Sequence, residues 1–599
     1  MKNTLAMMII TGTILFFSGC GGGCGDCSNS NFVPPSKKNE GIAVPVTPLD
    51  KERFICIDKM KIGDREYAAK CNKLLIEDSV TENNGEIFGL LKDFDDRPIL
   101  LNSKPYICNG KKDIIGEGLE YSSIIRQNNK LYLISQFDCA IGAIYLSELE
   151  QTSNGRLSVK PNSMRFISQR DEFGGYRHKS GSITPWQSYL GSEGFAPDAY
   201  IVEQKSSRTD LEVIDGIVKD IYYEQTALYW GGDITKSNPY FYGWANEIII
   251  DANEVPHFRK HYSMGRYSHH GAIVMPDRKT VYLTDNSQNG ALFMFIADKK
   301  DDLSAGTLYA PKESVSQDLN QTFIKFNWIN LGHTSNRTMK LEISKKINFS
   351  DLFAISPGNS DMECPSDFIP FVGSLGFECL KKKNSISETV LSRLETKRYS
   401  ALKGANFNFI NPKGLTYDSE RNRIYIAAQG YGNKIFKYNS CGAIYATDMT
   451  DTKIDTDGEL IKSNFIADKL YLLIEGKEKT YPKGDKYEGN ECSVEYIANP
   501  EGLSYIDDKD ILTISEDSGK HINPMIWNYD LKNHKLTRLI SHPLEANSVS
   551  MNWQRDVNGF DYLIYGVQHP LRDNEDANIE EKNSYLGYWG PVKIIKTIQ

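Results

Sequence analysis

From about residue 80 onward the chain is built from short apolar or aromatic runs of β character, each closed by a Gly, Asn, Asp or Pro cluster. Examples are Leu131–Ser135, Ala199–Glu203, Glu247–Ile250, Thr280–Thr284, Ala291–Ile296, Arg423–Ala427, Lys469–Leu473 and Tyr562–Gly566. Helical periodicity is scarce. Its best instance is Ser385–Leu394, continued by Glu395–Tyr399, and a short helix is expected near Asp351–Phe353. Three stretches share one order: a turn, an apolar strand, a polar residue at the strand end, a Gly/Asn loop and an aromatic strand. They run from Met275–Asp285 to Leu292–Phe295, from Gly414–Asp418 through Ile424–Gln429 to Ile435–Tyr438, and from Gly502–Tyr505 through Ile511–Asp517 to Ile526–Tyr529. Self-similarity at irregular separations is the signature of β-propeller blades carrying insertions, so the expected fold class is all-β. Strand ends in a propeller meet at a mouth, which draws together Asp285, Gln429, Glu516 and Asp517. Solvent-facing turn residues are the alternative.

The beginning of the chain has a different character. Lys2 and the apolar run Leu5–Phe17 read as a secretory signal over residues 1–19, too short for an ordinary membrane span. Phe17-Ser-Gly-Cys20 resembles a bacterial lipobox, which makes Cys20 the expected lipidation site and the membrane a partner through its lipid. By resemblance to lipoprotein sorting, Gly21 favours the outer membrane of a Gram-negative host. Residues 20–50 read as a flexible tether, and residues 51–130 as a Cys-containing segment that either stands alone or joins the first blade. A lone C-x-x-C, Cys24 and Cys27, lacks the further ligands a zinc site needs.

There are 11 cysteines, so apart from Cys20 an even number remains in a chain expected to be exported. Nearest-neighbour pairing suggests Cys56 with Cys71, Cys108 with Cys139, Cys364 with Cys379 and Cys441 with Cys492, although spacing alone cannot set connectivity. The net charge of −9 gives no electrostatic footprint for nucleic acid, but it does not disfavour a small phosphorylated ligand. No P-loop, G-x-S-x-G elbow, H-E-x-x-H or dinucleotide fingerprint occurs. The charged runs Lys299–Asp302 and Arg572–Lys582 read as solvated loops.

Several ordered blocks resemble the PhoX-type alkaline phosphatase family. They are Thr184–Glu193, Asn238–Tyr240 with Gly243-Trp244, Gly265–Ala272, Thr280–Asp285, Gly290–Asp298 and Leu303–Tyr309. Leu394–Tyr399, Asn411–Leu415, Asn499–Leu503, Ser515–Asp517 and Val567–Pro570 continue the order, so that the likeness spans roughly residues 165–590. The resemblance implies a propeller of about six blades, here over residues 131–599, and a secreted, monomeric phosphomonoesterase that binds calcium and iron at its mouth. Hard cations take oxygen ligands and neutralise phosphoryl oxygens, so such a site is rich in carboxylates.

Carried over position by position, the metal candidates are Glu193, Asp285, Asn289, Glu516 and Asp517. The chain also departs from the family pattern. Ser192 stands where the family has a cysteine ligand, Gly194 and Asn547 stand for glutamates, His269-His270 for a His-Glu pair, and Lys413-Gly414 for Glu-Gly. These changes remove up to four negative charges, so another divalent metal is the alternative to calcium and iron. Ser192 is a further, weaker metal candidate. His270 then becomes a nitrogen ligand for a softer ion such as zinc, or a structural histidine, and Lys413 takes the place of a cation or contacts a bound anion. The expected activity is hydrolysis of phosphate esters at the mouth, with a catalytically degenerate binding propeller as the alternative. No individual catalytic residue is assigned.

Overall fold

The computed structural model describes residues 40–593 apart from 63–64, 82–84, 112–115, 208–220, 318–321, 357, 374–375, 385, 433–435, 437, 518 and 579. The signal, Cys20, Cys24, Cys27 and most of the tether lie outside the described residues. Among the described residues, no helix is long and apolar enough to cross a membrane.

Six four-stranded antiparallel units follow one another along the chain. Blade 1 comprises Gly116–Gln127, Lys130–Cys139, Ala143–Gln151 and Leu157–Val159. Blade 2 comprises Ser182–Ile183, Tyr189–Ser192, Ala245–Ile250 and Pro256–Lys260. Blade 3 is His269–Val274, Thr280–Asp285, Leu292–Lys299 and Asp302–Gln317, and blade 4 is Phe409–Asp418, Arg423–Tyr431, Ala443–Thr450 and Ile466–Glu475. A long strand, Thr322–Ser335, pairs with both Asp302–Gln317 and Ile466–Glu475 and so fuses blades 3 and 4 into one nine-stranded sheet. Blade 5 is Pro500–Ile506, Ile511–Glu516, Met525–Asp530 and Lys535–Ser541. Blade 6 takes Asn547–Val557, Phe560–Gln568 and Tyr585–Lys593 from the C-terminal region, and its fourth strand, Lys70–Ile76, from the N-terminal region.

First strands of successive blades pack beside one another around an axis, and that of blade 6 returns to that of blade 1. The expected β-propeller is thus the observed fold, with six blades. The middle strands are apolar on both faces because each blade is covered by a neighbour on either side: all of Thr280–Asp285 and Ile511–Glu516 is buried. The core is accordingly divided into interblade wedges. Ile134 and Ile144 meet Tyr189 and Ile248 between blades 1 and 2, and Tyr425 and Ile444 meet Leu512 and Trp527 between blades 4 and 5. Tyr562 and Tyr588 meet Leu133 and Tyr145 between blades 6 and 1.

Blade 1 begins at Gly116, so a boundary at residue 130 falls inside its first hairpin. The N-terminal segment also runs along the outer edge of blade 5. Glu40–Gly41 and Ile55–Cys56 pair with Lys535–Ser541 before Cys56 is bonded to Cys71 in the closing strand of blade 6. Cys108–Cys139, Cys364–Cys379 and Cys441–Cys492 complete the four nearest-neighbour disulfides.

The helical expectations fall on Glu388–Leu394, capped by Ser387, on Thr396–Leu402, and on Phe349–Leu352. Two strand expectations are corrected. Ala199–Glu203 opens a helix, Ala199–Ser207, because the Asp198 carboxylate accepts the Tyr200 and Ile201 N–H groups at 2.9 and 3.4 Å, and this N-cap overrides the β propensity of the run. In blade 4 the third strand is Ala443–Thr450, not Ile435–Tyr438. Ile435 and Lys437 lie outside the described residues, and Phe436 carries its aromatic signal by packing from a loop against Tyr431 and Tyr445.

Candidate functional site

A recurring irregularity in the first strands builds the mouth. In blades 3, 4 and 5 the pairing register breaks between His269 and Ala272, between Pro412 and Leu415, and between Pro500 and Leu503. Each break holds a residue followed by glycine: His270-Gly271, Lys413-Gly414 and Glu501-Gly502. A β-bulge re-aims a side chain that the regular pleat would send elsewhere. The glycines are required by the close approach of neighbouring first strands. A Cβ on Gly271 would lie 2.6 Å from the Lys413 carbonyl oxygen, and one on Gly414 would lie 2.3 Å from that of Glu501. Blade 1 breaks register between Gly116 and Gly118 and again between Leu119 and Tyr121, and the second break holds Glu120. As a result Glu120, His270, Lys413 and Glu501 line one cavity of ≈ 390 Å³, with Lys179 and Asn547 contributed beside blades 2 and 6.

On the inner side of that cavity, Glu120, His270 and Glu501 offer one ligand atom each, all within 4.8 Å of one another. His270 Nε2 lies 3.3 Å from Glu501 Oε1, while His270 Nδ1 and Glu501 Oε2 are buried without hydrogen-bond partners. Burial, reinforced by Lys413 and Lys179, holds the imidazole well below its usual range and therefore neutral, the form that binds metals. Burial also pushes the carboxyls up, Glu120 to about 8 and Glu501 to about 7, against the pull of Lys179 and Lys413.

Four cations share the cavity wall, and each is tied to an acid. Arg177 is bidentate on Asp138 at 2.8 and 3.1 Å, Lys179 pairs with Asp138 and with Glu120 at 3.4 Å, Lys413 pairs with Asp517 and with Glu501 at 3.9 Å, and Arg572 meets Glu117 at 3.0 Å. The four cations at the mouth are therefore offset by five acids. The donor set of one imidazole and two carboxylates fits a single ion of the zinc type. It does not fit a cluster of calcium ions, each of which takes six to eight oxygens.

The residues expected from the strand ends divide sharply. Asp517 lines the cavity beside Lys413, and His270 and Lys413 do as well. Glu193 is sealed behind the wall, where it accepts from Tyr176, Gly243 and Trp244 N–H groups and pairs with the buried Lys260 ammonium at 2.8 Å. Glu516 is likewise enclosed by the Ala498 and Met525 N–H groups, the Trp527 indole and His521. Asp285 pairs with Lys397 at 2.8 Å, and the same ammonium donates to the Asn289 carbonyl at 2.7 Å. The Asn289 side chain reaches toward the Val372 carbonyl at 3.4 Å. Ser192 Oγ donates to backbone carbonyls of Ser180 and His270, and His269 Nε2 contacts the Gly265 carbonyl.

Glu120 and Glu501 are absent from the sequence-based set. A signal for Glu501 is present, because Asn411-Pro-Lys-Gly-Leu415 and Asn499-Pro-Glu-Gly-Leu503 are one motif used twice, and the residue before glycine is what varies. Glu120 lies in a run of acids and glycines with no comparable marker.

A family model described as alkaline phosphatase PhoX matches residues 154–373. Among solved structures, Pseudomonas fluorescens PhoX in complex with vanadate, a transition-state analogue, matches with a TM-score of 0.56 and 13% identity, covering 90% of this chain and 97% of that one. A structural-genomics protein of unknown function from Bacteroides thetaiotaomicron matches with a TM-score of 0.32 and 9% identity, covering 93% and 83% of the two chains. Trypanosoma rangeli sialidase in complex with the inhibitor DANA matches with a TM-score of 0.30 and 8% identity, covering 87% and 59%. A search of curated proteins finds no match. Residues 154–373 thus resemble the PhoX-type alkaline phosphatase family, and the chain shares its propeller fold with the Pseudomonas protein.

Proposed function

We propose that the chain is an exported phosphomonoesterase that works at the propeller mouth with one divalent ion held by Glu120, His270 and Glu501. The observation that carries this reading is the juxtaposition of that three-ligand group with four fixed cations around one cavity. Held by these three residues, such an ion would supply Lewis-acid polarisation of the phosphoryl group. The chain's own part is positioning. Asp138 holds Arg177 and Lys179, Asp517 holds Lys413, and Glu117 holds Arg572, so positive charge faces the ester without reorganising as it reacts. Hydrolysis adds water across the ester, breaking the P–O bond and releasing phosphate and the alcohol.

The test is elemental analysis of the purified chain together with turnover of a chromogenic phosphomonoester with and without chelator. About one divalent ion per chain and chelator-sensitive turnover are expected, and the absence of both overturns the reading. A second reading, a propeller that binds phosphate esters without turning them over, is favoured by one fact: every mouth cation is already paired with a carboxylate. Ester binding without hydrolysis would select it.

Export through a lipid-anchored Cys20 forms part of the proposal and is supported by the disulfides, which persist in oxidising compartments. Metabolic labelling with a fatty-acid analogue should mark the chain, and Cys20→Ala should remove the label.

A further inference from the structure

Phe195 is an anomaly at the rim of the mouth. It lines the cavity and has φ 47°, a left-handed conformation that bulky L side chains rarely adopt.

 Phe195 is 43% exposed, whereas Glu193 two residues earlier is fully enclosed. The backbone is held in this conformation by the Phe195 N–H, which donates to Ser268 Oγ at 2.8 Å. One face of the ring is occupied: the Arg177 guanidinium lies 4.3 Å from its centroid and 3.8 Å from that of Tyr222, so the cation is clamped between two aromatic rings. Other lining residues share the backbone anomaly, with φ 39° at Arg177, 46° at Asn411 and 35° at His569. Such conformations persist where the surroundings enforce them, and they gather at ligand sites.

We propose that Phe195 is the wall on which the alcohol part of the ester stacks, so that the mouth selects phosphate monoesters of flat aromatic or heteroaromatic alcohols over those of open-chain or saturated ones. This deepens the phosphomonoesterase reading and rests on it. Arg177 and Lys179, with its ammonium 5.5 Å from the ring centroid, place positive charge beside the ring, so a phosphoryl group and a ring attached to it are offered neighbouring partners. Two sources of a flat ring satisfy this chemistry, one bonded directly to the phosphoryl group and one carried on a ribose.

The experiment is titration calorimetry of the purified chain with non-reacting or poorly reacting pairs. Phenylphosphonate against methylphosphonate reads the directly attached ring, and adenosine 5′-monophosphate against ribose 5-phosphate, in the presence of chelator to suppress turnover, reads the ring on a ribose. In at least one pair the ring-bearing ligand should bind about ten-fold more tightly, within the range that base–aromatic stacking supplies. Phe195→Leu should bring that ratio close to one, and Phe195→Tyr should restore it. Ratios near one in both pairs for the unaltered chain overturn the proposal without recourse to any variant, as does a preference that survives Phe195→Leu. Hydrolysis of phosphomonoesters with no ring preference would remove the wall and keep the hydrolase. A ring preference without hydrolysis would remove the hydrolase and keep the wall, and binding of none of the four ligands would remove the wall.

Discussion

Glu193 and Glu501 are both buried glutamates of the propeller, and they have opposite surroundings. Glu193 follows the second strand of blade 2 and is surrounded by three N–H donors and the Lys260 ammonium. Glu501 lies on the bulged first strand of blade 5 and keeps one oxygen without a hydrogen-bond partner. A carboxylate whose lone pairs are all used by the protein holds the fold together. One left under-satisfied in a cavity wall has capacity for a ligand. Residue type is the same in the two, and what differs is the set of donors that the surroundings supply.

The comparison can be broken most directly by removing each acid. Glu193→Ala leaves the Lys260 ammonium buried without its partner and should cost about 3–5 kcal/mol, read as a lower urea midpoint. Glu501→Ala should change stability far less, because Lys413 keeps Asp517. Equal losses would erase the distinction. Metal content should follow the same division. Glu501→Gln is expected to weaken divalent-ion binding by at least about 100-fold, more than the loss of an outer-shell partner does, while Asp285→Asn leaves the bound ion in place. Elemental analysis after dialysis checks both.

A smaller effect tests the balance of charge. Lys413→Met takes a cation from beside Glu501 and Asp517, and titration calorimetry should show divalent-ion affinity rising about ten-fold.

The subtlest test uses a third kind of acid. Glu313 is sealed without any cation, accepting from Asn408 at 2.6 Å and from Tyr431, and burial raises its carboxyl from 4.5 to about 7. In the folded chain it keeps a proton that the unfolded chain has released. Its contribution to stability therefore declines as pH rises from about 4.5 through 7 and stays low above, with a slope of at most about 1.4 kcal/mol per pH unit. Glu313→Gln should flatten that part of the stability profile in denaturant titrations run from pH 5 to 8.

The all-β class and the propeller repeat were legible because turn punctuation and strand-length apolar runs are local signals, whereas the disulfide pairs were a nearest-neighbour guess that spacing alone could not set and that the structure contains. Six blades were implied by the family resemblance. The availability of an acid was less legible. Asp285, Glu516 and Glu501 look alike in one dimension, and only the partners supplied by Lys397, by Trp527 with His521, and by the bulge at Glu501-Gly502 distinguish them. The helix at Ala199–Ser207 was hidden for a related reason, since its run of strand formers is overruled by the single carboxylate of Asp198.

The strand Lys70–Ile76, which completes blade 6 against Tyr585–Lys593, has a consequence for the order of folding. Its partner lies about 500 residues further along, so the closing strand must wait, unpaired, until that segment emerges from the ribosome. Contacts of such long sequence separation form late and slowly. Until they form, blade 6 exposes an edge open to pairing with other chains, a hazard for a large β protein during its maturation. A chain truncated before residue 585 would retain five complete blades and still lack a ring, and its expected fate is aggregation rather than partial function.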